Sequence, residues 1–318
     1  MRILHVYEVA NVARSLADAQ RALGHDARVL ARRSDILDAP DLTFPARGGP
    51  MRDPLQHLVR VRDARWADVV HIHGGVRRTH VVWPVLRRLW RRTAWVVHLH
   101  GDDARMGYGT HHLGFADHVF ASTPDLPRLV PRAGWLPTPV SVAPAGSPWR
   151  EEKPLVGHFP SDRSRKGTDR LLEAFGGFGP SAATQPERGV TRVEAENAVL
   201  LIVEGVPHAR ALDLMAGCDV VVDQLIGLGV YGVVSIEAMA LGKVVLSDVD
   251  PALYPEAPPV VRATSDTIGE VLQTVVHSRE TWPERGRRGR EYAARVHDPE
   301  SVAQRTIRVY EGALAARG

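Results

Sequence analysis

Glycines, a lysine and a set of histidines mark where this chain could do chemistry. In Gly229-Val-Tyr-Gly-Val-Val-Ser-Ile-Glu-Ala-Met-Ala-Leu-Gly-Lys-Val-Val-Leu-Ser-Asp248, two glycines bracket Val230 and Tyr231. The pattern then turns helical, with Ile236, Met239 and Ala240 at i, i+3 and i+4, and Gly242 ends it before the strand-like Val244-Val-Leu246. A glycine turn feeding a helix N-terminus offers unpaired N–H groups and the positive end of a dipole, which suits a diphosphate. Glu237, one turn further in, would reach a neutral polyol such as ribose. The competing reading is a plain α/β connection.

Lys166-Gly167, with Arg163 and Arg165 beside it, sits at the mouth of a strand–loop–helix pattern. Glycine lets the backbone approach a phosphate, and a lysine and an arginine can neutralise two charges there. Only three of the 40 basic residues are lysines, so this one stands out against an arginine background. The spacing does not fit Gly-x-x-x-x-Gly-Lys-[Ser/Thr], which excludes a nucleoside-triphosphatase loop. A solvated basic loop is the alternative. His71 and His73, then His98 and His100, lie two apart at strand ends, and His111-His112 follow. His-x-His is a common metal-ligand pair, but such histidines also serve as hydrogen-bonding or core residues, and no metal is assigned. His100 is the candidate for a catalytic or sugar-contacting role. Asp102, Asp103 and Arg105 are polar groups in the same loop, where carboxylates can equally cap a helix.

These residues need a scaffold, and the rest of the chain describes one. Arg2–Tyr7, Ala27–Leu30, Asp68–His73, Ala94–His100 and Asp117–Ala121 read as strands, most running into a Gly or Asp loop, with Asn11 as N-cap of a helix over 12–23. Five prolines between 137 and 154 mark a linker. A second unit follows, with strands at Leu155–His158, Val199–Val203, Asp219–Asp223 and Val244–Leu246, a helix over 168–175, and a surface loop or short hairpin over 176–193. The tail from 264 is helical. Strands alternating with helices give an α/β fold of two doubly wound Rossmann-like domains facing a central cleft.

The bulk numbers fit a globular protein of 318 residues, 44% hydrophobic and 24% charged. A net charge of +3 gives no field that argues for nucleic acid. Cys218 is the single cysteine, so there is no internal disulfide framework, and no apolar run approaches the roughly 20 residues of a membrane span. The chain begins directly on a strand pattern, and the expected location is cytoplasmic. Arg77, Arg78, Arg87, Arg88, Arg91 and Arg92 punctuate a helix near 81–92 whose apolar side carries Val82, Leu86, Leu89 and Trp90. That helix packs on its own sheet in one reading, and makes a peripheral contact with anionic lipid in the other.

With these pieces placed, the chain resembles the GT-B-fold glycosyltransferases of the family-4 retaining type over nearly its whole length. His100-Gly-Asp-Asp-Ala-Arg105 is similar to that family's His-Gly-Thr-Asp-x-Arg loop. Gly157-His-Phe-Pro-Ser-Asp-Arg-Ser-Arg-Lys-Gly167 resembles its Gly-Arg…Lys-Gly diphosphate loop, and Glu204-Gly-Val-Pro-His208 the turn that borders the nucleobase. Gly229 through Gly242 resembles the Glu-Gly-Phe-Gly…Glu-Ala-Met-Ala-x-Gly signature. Arg295-Val-His-Asp-Pro-Glu300 resembles the segment that returns to the first domain. Three positions depart from the pattern. Gly229 stands where the first of two glutamates would be, His158 replaces an arginine, and Glu8-Val-Ala-Asn11 replaces a Gly-Gly loop.

The resemblance implies an acceptor-side domain over 1–150, a nucleotide-sugar domain over 151–294, and a segment over 295–318 crossing back. It implies a hexosyl-type transferase using a UDP- or GDP-linked sugar as substrate, with no cofactor, no metal and an unknown acceptor. Lys166 and Arg163 with Gly167 and the backbone of Val230, Tyr231, Gly232 and Val233 would hold the diphosphate, and Glu237 the ribose. Glu204 and Val206 would border the base, Asn11 would contribute from the first domain, and His100 would contact the sugar or position the acceptor. The alternatives are a nucleotide-sugar epimerase or hydrolase of the same fold, a non-catalytic nucleotide-sugar-binding partner, and a metal-dependent hydrolase built on the His-x-His pairs.

Overall fold

The computed structural model describes residues 1–44, 62–76, 82–111, 113–141 and 152–317. The chain divides into two compact units, Met1–Pro139 with Asp298–Gly318, and Val140–His297. Each is organised around a seven-stranded sheet. Arg77, Arg78, His112 and the part of the proline-rich stretch from 142 to 151 lie outside the described residues.

In the first unit, β1 (Arg2–Val6), β2 (Asp26–Ala31), β3 (Leu42–Thr43), β4 (Val69–His73), β5 (Ala94–Leu99), β6 (His118–Ala121) and β7 (Ala133–Trp135) run in the order β3-β2-β1-β4-β5-β6-β7. Every neighbouring pair is parallel. A parallel sheet is covered on both faces, which is why its inner strands read as nearly unbroken apolar runs. Leu4, Val70, Ile72, Val97 and Leu99 pack with Trp83 and Leu86 of the helix Val82–Leu89 on one side. Ile3, Val69 and Val96 pack with Val12 and Leu16 of the helix Val12–Ala22, and with Val302 and Tyr310 of the last helix, Pro299–Ala315, on the other. On the arginine-rich helix, Leu89 is 67% exposed rather than part of a buried apolar side.

The predicted N-cap at Asn11 is corrected by the backbone. Asn11 and Ala10 adopt positive φ of 59° and 51°, and the Asn11 side chain makes no cap hydrogen bond. Its Oδ1 accepts from Asp38 N at 3.0 Å instead. The Glu8 carboxylate takes the first-turn N–H groups of Ala13 and Arg14 at 3.0 and 2.9 Å. A resident carboxylate therefore already occupies the positive end of that helix.

In the second unit, β8 (Leu155–His158), β9 (Ala182–Glu187), β10 (Val190–Glu194), β11 (Val199–Val203), β12 (Val220–Val222), β13 (Val244–Ser247) and β14 (Val261–Arg262) take the order β14-β13-β12-β8-β11-β10-β9. The five strands from β14 to β11 are parallel. The segment over 176–193 holds the hairpin β9–β10, which adds antiparallel to β11 and extends the sheet edge. Because β9 is exposed along its whole length, it carries no core-facing alternation. After β8 the chain runs through the hairpin to β11 on one side of it, and then crosses to β12 on the other. That arrangement is a topological switch point, and the carboxyl ends of β8, β11 and β12 are where such a sheet offers a ligand site. Among the described residues, no helix is long and apolar enough to cross a membrane.

Candidate functional site

Three loops meet at that switch point, one from each strand. After β8, Asp162 caps a single helical turn, Arg163–Lys166, by accepting from Arg165 N at 3.1 Å. Gly167 follows with φ 76°, a left-handed conformation that lets the turn end and the helix Thr168–Phe175 begin at once. This bend aims Lys166 inward. Its Nζ lies 2.6 Å from Asp223 Oδ1 and 3.2 Å from Gln224 Oε1, both just beyond β12.

Asp223 is the hub of the arrangement. Its other oxygen accepts from Gly232 N at 2.9 Å and from Ser235 Oγ at 2.8 Å. Burial pushes the Asp223 carboxyl up, but Lys166, Ser235 and the Gly232 N–H outweigh it and hold the group below the usual carboxylate range. At Gly232 a Cβ would stand 2.9 Å from Asp223 Oδ2 and 3.1 Å from Lys166 Nζ, so a side chain there would push the ion pair apart. The helix Val233–Ala240 then starts with its N-terminus at this cluster. It ends as the sequence predicts, with Gly242 at φ 71° and Lys243 N bonding Ala238 O at 2.9 Å.

The turn before this helix is braced from several sides. Gln224 Nε2 donates to Val230 O. Tyr231 N donates to the hydroxyl of Tyr254 at 3.0 Å, and the two rings stack at 4.7 Å. The Tyr231 hydroxyl meets Tyr292 at 3.1 Å and His297 Nε2 at 2.9 Å. Two of the backbone donors expected to cradle an anion, Tyr231 N and Gly232 N, thus already have protein partners. Among the described residues, no partner stands against the first-turn N–H groups of Val233 and Val234, both half-buried.

Gly229 has a conformational reason to be glycine. Its φ is 67°, and a Cβ there would come within 3.2 Å of Leu253 Cδ1 and 3.3 Å of Asp250 Cβ. An acid at this position would be strained, whatever it offered a ligand. His158, at the end of β8, is likewise fully used. Nδ1 bonds Val222 O at 2.8 Å, and Nε2 bonds Thr168 Oγ1 at 2.9 Å. Burial pulls this imidazole below its usual value, so it is neutral and joins β12 to the Thr168 helix.

The remaining predicted residues separate into pairs. Arg163 does not join Lys166. Its guanidinium holds Glu204, just after β11, with Nε at 3.0 Å from both carboxylate oxygens. Val206 is buried near Gly189, where a Cβ would meet Val206 Cγ1 at 2.8 Å. Glu237, buried in the second turn of its helix, meets His208 Nε2 at 2.7 Å. His208 is the site residue that residue-by-residue reading overlooks, although it closes the Glu204–His208 turn.

In the first unit, the carboxyl end of β5 carries His100. Asp103 folds the following loop onto itself, accepting from the N–H groups of His100, Gly101 and Ala104. Arg105 pairs with Asp125 at 2.8 Å. Asp103 and Arg105 are therefore supports of the loop, the capping alternative. His100 itself joins a cluster. His5, His71, His73, His98 and His100 stand on one face of β1, β4 and β5, brought together by the pairing of His5 with His71 and of His73 with His98. Burial pulls His5 and His100 down to about 4 and the other three well below the usual value, so all five are neutral imidazoles near neutral pH.

No family model matches the chain, and no curated protein matches it. Solved structures do. Sucrose-phosphate synthase from Thermosynechococcus elongatus superposes with a TM-score of 0.68 at 14% identity, covering 99% of this chain and 100% of that one. Anabaena HepE, solved in complex with UDP and glucose, gives 0.69 at 15% identity, covering 98% and 99%. An alpha-glucosyltransferase in complex with UDP-glucose and DNA containing an abasic site gives 0.73 at 11% identity, covering 98% and 99%. At such identities the likeness carries the fold alone, that of two α/β units.

Proposed function

We propose that this chain is a glycosyltransferase that moves a hexose from a nucleoside-diphosphate donor to an acceptor, with retention of configuration. The observation that carries the reading is the convergence of Lys166 Nζ and the Val233–Ala240 helix N-terminus on one carboxylate, Asp223, at the switch point of the second sheet. A cation, a dipole end and unpaired N–H groups at one place suit a diphosphate. Asp223 holds these donors in position.

On this reading the donor's diphosphate takes the Val233 and Val234 N–H groups and shares Lys166 with Asp223. As the sugar–phosphate bond breaks, charge grows on the leaving diphosphate, and preorganised donors there lower the barrier. Glu237, oriented by His208 at 2.7 Å, accepts from the ribose hydroxyls. Glu204 and Val206 border the base, with Arg163 holding Glu204 rather than touching phosphate. Retention and the hexose rest on the resemblance of Gly229–Gly242 to the family-4 signature, and UDP is favoured because structures of this fold were solved with it.

Incubation with UDP- and GDP-hexoses, followed by mass spectrometry and by NMR of the product anomer, tests the reading. Transfer with the donor's anomeric configuration supports it, with kcat/KM falling about a hundredfold, roughly 3 kcal/mol, in Lys166→Ala. Epimerised donor without transfer would point to the epimerase alternative, and turnover untouched by Lys166→Ala would remove that lysine from the site.

A further inference from the structure

The histidines of the first unit are ordered by a chain of hydrogen bonds whose direction can be worked out. Thr306 Oγ1 gives its hydrogen to Ala303 O at 2.7 Å, so it accepts from Gln20 Nε2 at 3.0 Å. Gln20 Oε1 must then accept from His5 Nε2–H at 2.8 Å. That leaves His5 Nδ1 to accept from His73 Nε2–H at 2.9 Å, and His73 Nδ1 to accept from His100 Nε2–H at 3.1 Å. His100 Nδ1 accepts from the Ser122 hydroxyl at 2.8 Å, and Ser122 Oγ accepts from His98 Nε2–H at 3.1 Å. The chain ends on His98 Nδ1, a bare lone pair that is fully buried and has no partner among the described residues.

A buried lone pair without a donor costs free energy unless something binds it. Two neighbouring histidines lie beside His98. His73, His98 and His100 each bring one ring nitrogen within 4.8 Å of the others, two buried and one half-buried. The His98 and His100 rings lie 4.3 Å apart, and His73 is 5.3–5.4 Å from both. A parallel group, His5, His71 and His73, shares His73 but is wholly buried, so entry is easier beside His100.

We propose that His73, His98 and His100 form a divalent transition-metal site of the zinc class, coordinating through His73 Nδ1, His98 Nδ1 and His100 Nε2. Each ligand then keeps its second nitrogen in a hydrogen bond, as metal-bound histidines usually do. His73 Nε2–H stays on His5 and His98 Nε2–H on Ser122. His100 passes from the Nε2–H to the Nδ1–H tautomer and donates to Ser122 Oγ, so no net proton is released. The metal replaces the proton between His73 and His100, whose nitrogens need to part only slightly from 3.1 Å. Three imidazoles with no carboxylate in the set favour Zn2+, Co2+ or Ni2+ over Mg2+ or Ca2+, which require oxygen ligands. The Asp103 carboxylate, bonded to His100 N at 3.0 Å, offsets part of the added charge, and three protein ligands leave a fourth position for water or an anion.

Cobalt titration of the full-length protein after chelator treatment and dialysis reads the site directly. The expected result is one Co2+ per chain, with the intense visible bands of a tetrahedral nitrogen site, displaced by Zn2+. His98→Asn and His73→Gln, checked for folding by circular dichroism, should abolish the bands, and His25→Ala should retain them. X-ray absorption of the zinc-loaded wild-type protein needs no variant to fold, and should count three imidazoles at about 2.0–2.1 Å. No cobalt uptake, octahedral-type bands, or fewer than three imidazoles around zinc would overturn the site. Glycosyl transfer is not the readout, so failure here leaves the donor-site reading untouched.

Discussion

Lys166→Ala should do more than weaken a ligand contact, because it strips a buried carboxylate of its counter-charge. Asp223 is 1% exposed and Lys166 Nζ sits 2.6 Å away. Removing one partner of a buried pair costs about 3–5 kcal/mol. Asp223 would keep two donors, Gly232 N and Ser235 Oγ, so the lower end, about 3 kcal/mol near neutral pH, is expected. The sign with pH follows from the two states of Asp223. In the wild type its carboxyl is held below the usual range, so the pair's contribution is present above about pH 4 and is lost as the pH falls through the folded value. In Lys166→Ala, burial acts without the cation, the carboxyl rises, and the variant gains stability as the group takes up a proton. The difference between the two proteins should therefore shrink from about pH 7 toward about pH 4. Denaturant unfolding followed by circular dichroism at a series of pH values measures it. Lys166→Met combined with Asp223→Asn removes both charges at similar volume and should recover most of the loss. A difference under about 1 kcal/mol at neutral pH, or one that widens on acidification, would refute the pairing.

Other consequences are more local. Gly229→Glu should cost about 1–2 kcal/mol in thermal unfolding, since φ there is 67°, and should bring no gain in donor affinity. Glu8→Ala removes the carboxylate on Ala13 N and Arg14 N and should cost about 1 kcal/mol, read by the same melt. If Glu237 accepts from ribose, the wild type should prefer UDP over its 2′-deoxy form by about 1 kcal/mol in calorimetry, and Glu237→Ala should lose that preference.

What could be read beforehand follows a physical division. The α/β order was legible because parallel strands buried on both faces leave runs such as Val199–Val203 and Val220–Val222, and because the Gly242 helix end is a local backbone requirement. Lys166 stood out by its glycine and by the scarcity of lysine. Its partner Asp223 did not, because an aspartate closing a valine run looks like a strand end, and only strand order brings it to Lys166. Registry likewise hides the histidine cluster: His5 is isolated in sequence and joins His71 only once β1 pairs with β4. The Asn11 cap failed because a positive φ turned the residue away and a carboxylate three positions earlier took its place. Long-range partners of Tyr231, namely Tyr254, Tyr292 and His297, leave no local signal at all.

Lys166 and the Val233 helix N-terminus are proposed to hold a donor diphosphate. Calorimetry with UDP against the wild type and against the Lys166→Met, Asp223→Asn pair, with uridine as the phosphate-free control, tests it most directly. UDP should bind the wild type, uridine should bind far more weakly, and the paired variant should lose at least about tenfold in UDP affinity, roughly 1.4 kcal/mol. Equal binding of UDP to both proteins, or no difference between UDP and uridine, would contradict the account.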